Sequence, residues 1–131
     1  MIRILQFQGT DAALYTLVAP LVMNPKILKY NNNYPFKTND SFVWFVAVEE
    51  KEVKGFVPVE VKGSTMTVNN YYVDENEEKT LFPLLLKAVI GKQAELEKSL
   101  HAVVMVRHAV YFESEGFKTC KVWTKYLKME R

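Results

Sequence analysis

Hydrophobic and polar positions follow two different periods in the first part of the chain. Apolar residues alternate with others over residues 2–7, and this period of two predicts a first β-strand. Between Thr10, a candidate N-cap, and Met23 the apolar residues recur at helical spacing and predict a helix. A second helix is predicted to begin at Pro25, because proline is favoured at the first helical position. The pattern stops over residues 30–41, so we expect a loop there.

The middle of the chain predicts a meander of three strands that leads into a helix. Residues 42–49 and 53–61 are rich in Val, Phe and Trp and are separated by a polar turn, as in a β-hairpin. Pro58 cannot donate a hydrogen bond, so the second strand should contain a bulge there or be unpaired on one edge. The third strand is predicted over 65–73, with alternating faces. A long amphipathic helix, capped by Thr80, is expected to follow.

The C-terminal third completes the predicted sheet. Residues 102–106 form a continuous apolar run, which is typical of a strand that is buried on both faces and pairs in parallel with the strand before the helix. That arrangement is a right-handed strand–helix–strand unit. A short helix is expected over 109–115, ended by Gly116, and residues 117–129 have strand composition. The predicted fold class is therefore α/β (α+β).

Composition and charge exclude several classes of function. With 131 residues and 49% apolar content, the chain has the size of one domain that can bury a core. The formal net charge of +2 gives no electrostatic reason to expect a nucleic acid or a membrane as partner. No segment approaches the roughly 18 to 20 apolar residues of a membrane span, and the first residues lack the apolar run of a signal peptide. His101 and His108 have no thiol or acidic partner beside them, so no metal is expected.

The single cysteine bears on the cellular compartment. Cys120 cannot form an internal disulfide, which fits a reducing cytosol, and we therefore expect a cytoplasmic protein. The residue lies in a strand-like segment without a nearby histidine and is predicted to be a buried, small apolar residue, not a nucleophile. The segment around it is basic and contains aromatic residues, which we interpret as a solvated strand face and not as a nucleic-acid site. Its basic residues are Lys118, Lys121, Lys125, Lys128 and Arg131.

The order of elements and three local matches resemble the GNAT N-acetyltransferase superfamily over nearly the whole chain. Residues 69–75 (NNYYVDE) resemble the family's fourth strand and its exit, and residues 85–90 (LLKAVI) resemble its third helix. Residues 110–117 (VYFESEGF) are similar to its helix that runs into Gly-Phe before the last hairpin. The resemblance implies a single GNAT-like acetyltransferase domain over residues 1–131. It implies a mixed, mostly antiparallel sheet of about six to seven strands flanked by about four helices.

The resemblance also implies a cofactor, acetyl-CoA, and residues that would contact it. The family's pyrophosphate loop matches residues 77–82 (EEKTLF), in which both loop glycines are replaced. Free amide groups at a helix start still offer donors to an anion, and backbone groups at the end of the fourth strand would pair with the pantetheine arm. An arginine after the next strand would meet a phosphate. The implied cofactor-binding residues are Tyr71, Tyr72, Val73, Lys79, Thr80, Leu81, Phe82 and Arg107.

Acetyl transfer from a thioester to an amine requires positioning, polarisation of the carbonyl, a base for the amine and an acid for the thiolate. The family often supplies the acid from a tyrosine in the short helix before Gly-Phe. Phe112 occupies the matching position, so the neighbouring Tyr111 is the candidate acid. Glu60, or a water molecule held by Asn70, is the candidate base.

Two hypotheses follow. In the first, the protein is a small N-acetyltransferase that binds acetyl-CoA in an atypical way and acts on a small-molecule or peptide amine. In the second, it is a GNAT-fold binding or interaction module that has lost the cofactor, as the missing glycines, Glu77 and Phe112 indicate. The loop over 30–41 would shape the acceptor pocket, and a homodimer is compatible with either hypothesis.

Overall fold

The computed structural model describes residues 1–131, which form eight β-strands and four α-helices. The strands are β1 (Ile2–Gln8), β2 (Phe42–Glu49), β3 (Glu52–Lys62), β4 (Thr65–Val68), β5 (Tyr72–Val73), β6 (Ser99–Met105), β7 (Lys118–Val122) and β8 (Tyr126–Glu130). The helices are α1 (Ala12–Val22), α2 (Pro25–Tyr30), α3 (Glu78–Leu96) and α4 (Ala109–Ser114), with 3₁₀ turns at Glu75–Glu77 and Val106–His108. This mixed architecture with four helices confirms the predicted fold class.

All the strands belong to one sheet. Its main path is β1-β2-β3-β4-β6-β8-β7, and β5 pairs with β3 beside that path. β4 and β6 are parallel and all other neighbours are antiparallel. The parallel pairing runs from Thr65 opposite Ser99 to Val68 opposite Ala102. Since α3 lies between these strands in the chain, the predicted strand–helix–strand unit is confirmed.

Alternating side chains give the sheet two packed faces. α3 and α4 cover one face, where 20 buried residues, among them Phe45 and Leu85, form the larger cluster of the core. α1 covers part of the other face, where Leu14 and Val18 pack against side chains of β2 and β3 such as Trp44. Beyond α1 and α2, this second face continues over the end of β3 and over β4, β6, β8 and β7 with polar side chains. We call that part the open face.

The third strand of the meander is interrupted, which corrects the predicted continuous strand over 65–73. β4 ends at Val68, Asn70 has a φ of 57°, and the chain resumes as β5, which pairs with β3. A left-handed residue redirects the chain, and asparagine tolerates this conformation better than most residues. β5 can approach β3 because Gly55 has no side chain: a Cβ atom there would lie 2.8 Å from the Tyr72 carbonyl oxygen. The interruption accounts for a strand count of eight.

Pro58 lies opposite this interruption. β4 pairs with residues 59–62 of β3 and β5 pairs with residues 55 and 56, so Pro58 has no partner strand on that side. The prediction that the strand is unpaired on one edge at Pro58 is confirmed. The bulge of this hairpin lies elsewhere in β3: Ala47 pairs with Gly55 and Val48 pairs with Val53, so Lys54 is the extra residue.

Two helix starts differ from their predictions. The cap of α1 is Asp11, whose carboxylate accepts a hydrogen bond from the Ala13 N–H, and not Thr10. α2 begins as predicted, with Pro25 in its first turn. α3 begins at Glu78, directly after a 3₁₀ turn, so Thr80 lies inside its first turn and is not its cap.

Two further observations concern the periphery of the fold. Cys120 is exposed, so the prediction that it is buried was wrong. The reason is that β7 is an edge strand with all five of its residues exposed. None of the helices has the length and apolar character needed to cross a membrane.

Candidate active site

The parallel strands β4 and β6 pair at one end and separate at the other. Their last pair is Val68 with Ala102, after which the chain leaves β4 and pairs with β3 as β5. β6 continues to Met105, paired with β8. The separated strands enclose a wedge-shaped opening at their carboxyl ends, beside the start of α3. Ligand sites in α/β folds are frequently found outside the carboxyl ends of parallel strands.

Tyr71 bridges the two sides of this wedge. Its side chain is 2% exposed, and its hydroxyl accepts a hydrogen bond from the Met105 N–H at 3.1 Å. The same hydroxyl lies 2.6 Å from Nδ1 of His108. Burial raises the pKa of Tyr71 well above its usual value, so the hydroxyl stays protonated. Its O–H then donates a hydrogen bond to Nδ1. Tyr71 therefore provides a partner for a backbone N–H of β6 that the separation of the strands leaves unpaired.

His108 is fully buried and connects the wedge to the start of α3. Because Tyr71 donates to Nδ1, the ring carries its own proton on Nε2, which lies 3.0 Å from the Glu78 carboxylate. The Tyr30 hydroxyl is 3.4 Å from the same nitrogen. Burial, followed by the nearby Arg107 guanidinium, lowers the pKa of His108 to about 4, so the imidazole is neutral at pH 7. We call this hydrogen-bonded chain the Tyr71–His108–Glu78 network.

Glu77, which precedes α3, and Glu78, which begins it, each have a partner within the protein. Burial raises the pKa of Glu78, an effect opposed by Arg107, whose Nη1 is 4.0 Å from the carboxylate. Glu77 lies 3.4 Å from the Lys54 ammonium group on β3. The carboxylates of Glu77 and Glu78 therefore lie beside cations of the protein itself, even without a ligand.

A basic cavity of about 600 Å³ lies beside the wide end of the wedge. The Arg107 guanidinium carbon is 5.0 Å from the centre of the Tyr30 ring, a cation–π contact that holds the charge at the cavity wall. Four cationic side chains and one carboxylate favour a polyanionic occupant. These charged lining residues are Lys26 and Lys29 of α2, Glu75, Arg107, and Lys125 of the β7–β8 turn.

A second cavity, of about 400 Å³, occupies the narrow end of the wedge, and we call it the narrow cavity. The Tyr126 hydroxyl in its wall accepts a hydrogen bond of 2.5 Å from the Asn32 side-chain amide, and Asn32 also lines the basic cavity. This contact therefore separates the two cavities. The narrow cavity is lined by Tyr34, Pro35, Lys37, Asn69, Asn70, Val103 and Tyr126.

Most of the predicted cofactor-binding residues lie away from the basic cavity. Arg107 lines it, whereas Lys79 and Thr80 are exposed on α3 and Leu81 and Phe82 are fully buried in the core. Because α3 begins at Glu78, its free amide groups belong to residues 78–80. The expectation that the Leu81 and Phe82 amides receive an anion is corrected accordingly. The remaining predicted residues, Tyr71, Tyr72 and Val73, border the wedge, and the last two pair with β3.

The two predicted catalytic residues lie in different places. Tyr111 is half-buried, and its ring stacks on Phe82 with 4.7 Å between the ring centres. It lines neither cavity of the wedge. Glu60 is 3.2 Å from the Lys62 ammonium group and lines a third cavity, of about 320 Å³, which adjoins the narrow one. Phe112, at the position that matches the family's tyrosine, is fully buried.

Several residues of the site had no assigned role in the sequence-based prediction. Lys26 and Lys29 share one side of α2 because they are three residues apart, a spacing that could have marked them. Lys125 and Tyr126 join them only through tertiary structure, which no local pattern reports. The burial of His108 was likewise unpredicted, since histidine has no strong preference for the core or the surface.

No protein-family model and no curated protein sequence matches this chain. Among solved structures, an acyl-CoA N-acyltransferase from Pseudomonas aeruginosa matches with a TM-score of 0.77 and 11% identity, over 100% of this chain and 99% of that one. The GNAT domain of S. lividans PAT matches with a TM-score of 0.72 and 12% identity, over 99% and 89%. The chain has the GNAT fold. The PaiA N-acetyltransferase from Thermoplasma acidophilum, solved in complex with coenzyme A, matches with a TM-score of 0.67 and 12% identity, over 100% and 98%.

The GNAT fold confirms the resemblance that was inferred from the order of elements. Its local chemistry differs here at the start of α3, where residues 77–82 contain no glycine and Glu78 bonds to His108. In this GNAT fold the positive charge around the wedge comes from α2, from Arg107 and from the β7–β8 turn.

Proposed function

We propose that the protein is an acyl-CoA-dependent N-acyltransferase, which transfers an acetyl group from acetyl-CoA to an amine. The observation that carries this proposal is the basic cavity at the wide end of the wedge, in a chain with the GNAT fold. Solved proteins with this fold include acyl-CoA N-acyltransferases and one complex with coenzyme A. Coenzyme A is a polyanion with phosphates at one end and a thiol at the other, so its phosphates suit the cationic lining.

In this proposal the phosphates bind Lys26, Lys29, Lys125 and Arg107, and the pantetheine arm runs along β6 towards the narrow cavity. The thioester would then lie near the Asn32–Tyr126 contact, where the two cavities meet. The acceptor amine would enter the narrow cavity from the other side. Its lone pair attacks the thioester carbonyl carbon, and the carbon–sulfur bond breaks with its electron pair on sulfur.

Proton transfer requires groups near the reacting atoms. The Tyr126 hydroxyl lines the narrow cavity and is better situated than that of Tyr111 to protonate the thiolate. Glu60 lines the adjoining cavity and would accept the amine proton through water. Tyr111, which stacks on Phe82 beside the network, is assigned a packing role.

The alternative, a GNAT-fold interaction module without cofactor, is favoured by two observations. The Met105 N–H of β6 is already satisfied by Tyr71, and Glu78 occupies the first position of α3. As a result, the Met105 N–H does not need a ligand as a hydrogen-bond partner, and a carboxylate of the protein already lies at the start of α3. Acetyl-CoA binding distinguishes the two functions, because the enzyme requires it and the interaction module does not.

Isothermal titration of the full chain with acetyl-CoA and with CoA tests the proposal. Binding is expected, and Lys29→Glu is expected to weaken it about tenfold or more, because an attractive charge becomes repulsive. Lys51→Glu, in the β2–β3 turn, is the matched control and should leave affinity unchanged. The absence of heat at millimolar acetyl-CoA would refute the enzyme and favour the interaction module.

Turnover requires a second measurement. The protein is incubated with acetyl-CoA and a panel of amines, and the CoA that forms is separated by chromatography. Thiol reagents are unsuitable for wild type because Cys120 is exposed and would itself react. Tyr126→Phe should lower kcat while acetyl-CoA affinity is retained, whereas Tyr111→Phe should have little effect on either.

A further inference from the structure

The open face carries a ladder of polar side chains, and the proposed reaction uses only one of them, Glu60. Strand register aligns Glu60, Thr67, His101, Glu130 and Lys118 across five neighbouring strands. Residues directly opposite each other point to the same side of a sheet. The whole row therefore lies on the face that α1 and α2 leave uncovered.

This face is continuous with the narrow cavity. The narrow cavity and the cavity beside Glu60 share Lys37, Asn69 and Asn70. A further cavity, of about 330 Å³ and lined by His101 and Lys128, shares Val103 with the narrow one. A molecule whose reacting group lies in the narrow cavity can thus extend over the open face without leaving the protein surface.

The charges of the open face are unbalanced. Each of its two carboxylates lies near a lysine, since Glu60 is 3.2 Å from the Lys62 ammonium group and Glu130 is directly opposite Lys118 on β7. Lys121 and Lys128 are directly opposite each other on β7 and β8, and neither forms an ion pair. Like charges in directly opposite positions destabilise a sheet. The pair therefore has a cost in the free protein that an anionic ligand would relieve.

We propose that the acceptor is the amino terminus of an acidic peptide, an inference that rests on the proposed N-acyltransferase function. The amine lies in the narrow cavity and the acidic side chains lie over Lys121 and Lys128. β8 and β7 are about 5 and 10 Å beyond β6, and an extended peptide advances about 3.3 Å per residue. Acidic residues at about the second to fourth positions of the peptide therefore reach these lysines.

A nucleic acid fits the same lysines less well. Its backbone carries a charge at every nucleotide and would pass over Glu60 and Glu130 as well as over the lysines. A peptide can instead carry carboxylates only where the lysines are. It also supplies the primary amine that the reaction requires.

The test uses peptides with a free amino terminus that are identical except at the second to fourth positions, where they carry glutamate, glutamine or lysine. Peptide binding is measured by fluorescence anisotropy with a dye at the carboxyl terminus, and acetyl transfer by chromatography. The glutamate peptide is expected to bind at least about fivefold more tightly than the glutamine peptide, and the difference should shrink as salt is raised. The combined variant Lys121→Glu/Lys128→Glu should abolish or reverse this preference, and Lys51→Glu should preserve it.

The results separate this inference from the proposed function. Acetyl transfer at equal rates to all three peptides would overturn the inference and leave the N-acyltransferase intact. If acetyl-CoA does not bind, the proposed enzyme fails, and the anisotropy measurement still decides whether the face selects acidic peptides. Tighter binding of a single-stranded oligonucleotide than of the glutamate peptide would also overturn the inference. Should the double variant fold poorly, the single variants Lys121→Gln and Lys128→Gln test the same charge preference with a smaller change, and each should reduce it.

Discussion

Replacing Tyr71 by phenylalanine removes one oxygen atom from the centre of the wedge. That oxygen accepts the Met105 N–H and donates to His108, and both partners are buried. A buried polar group left without a partner costs about 1–3 kcal/mol. Two such groups predict that Tyr71→Phe lowers the free energy of unfolding by about 2–6 kcal/mol, a large part of the roughly 5–15 kcal/mol of a typical domain.

Equilibrium unfolding in urea measures this loss. Trp44 is 2% exposed in the folded protein, so its fluorescence should report unfolding. Tyr15→Phe is the matched control, because Tyr15 is 45% exposed and its hydroxyl has no protein partner. The control should change stability by less than about 0.5 kcal/mol.

A double-mutant cycle with His108→Leu separates the network from a general packing effect. If Tyr71 acts through His108, the two losses should be non-additive by about 1 kcal/mol or more. A loss for Tyr71→Phe no larger than that of Tyr15→Phe would refute the reasoning. It would mean that water or a small backbone movement satisfies both partners.

Three further predictions concern stability. The folded-state pKa of His108, about 4, lies below its ordinary value of about 6.5, so within this window the unfolded chain binds a proton that the folded chain does not. The free energy of unfolding should therefore fall by up to about 3 kcal/mol as pH is lowered from 6.5 to 4. For His108→Gln, the free energies of unfolding from denaturation curves over the same pH range should lack this decrease. Gly55→Ala places a Cβ atom 2.8 Å from the Tyr72 carbonyl oxygen and should destabilise by about 1–3 kcal/mol in urea, with an unchanged midpoint as the contradicting result. Gly91→Ala adds a methyl group in the interior of α3 where no atom lies within 4 Å, and should raise the unfolding free energy by about 0.5–1 kcal/mol; a lower melting temperature would contradict it.

Local patterns were sufficient to predict much of the fold. The period of two over β1, the Val-, Phe- and Trp-rich composition of β2 and β3, the helical stripe of α3 and the apolar run of β6 each depend on residues close in sequence. The order of these elements was also enough to indicate the GNAT fold. The break after Val68 was missed because the alternation from Thr65 to Val73 is compatible with one strand, although the Asn69-Asn70 pair is a recognised sign of a left-handed turn.

The candidate site could not be predicted to the same extent. Its cations come from α2, from the turn after β6 and from the β7–β8 turn, and only the folded chain brings Lys29, Arg107 and Lys125 together. The start of α3 shows a different reason. Thr80 is a good cap by residue type, but the preceding turn, capped by Asp74, already has helical geometry and lets the helix begin at Glu78. Likewise, the exposure of Cys120 depends on β7 being an edge strand, a property of the sheet as a whole.

The short parallel pairing of β4 with β6 also has a consequence for how the protein opens. β1 to β5 are contiguous in sequence and form one part of the sheet, and β6 to β8 are contiguous and form the other. The backbone seam between these parts runs only from Thr65 opposite Ser99 to Val68 opposite Ala102, and α3 packs across it. Amide groups at the seam should exchange with solvent through a partial opening that leaves each part folded. A ligand that spans the wedge would contact both parts and would therefore act as a clamp on this motion.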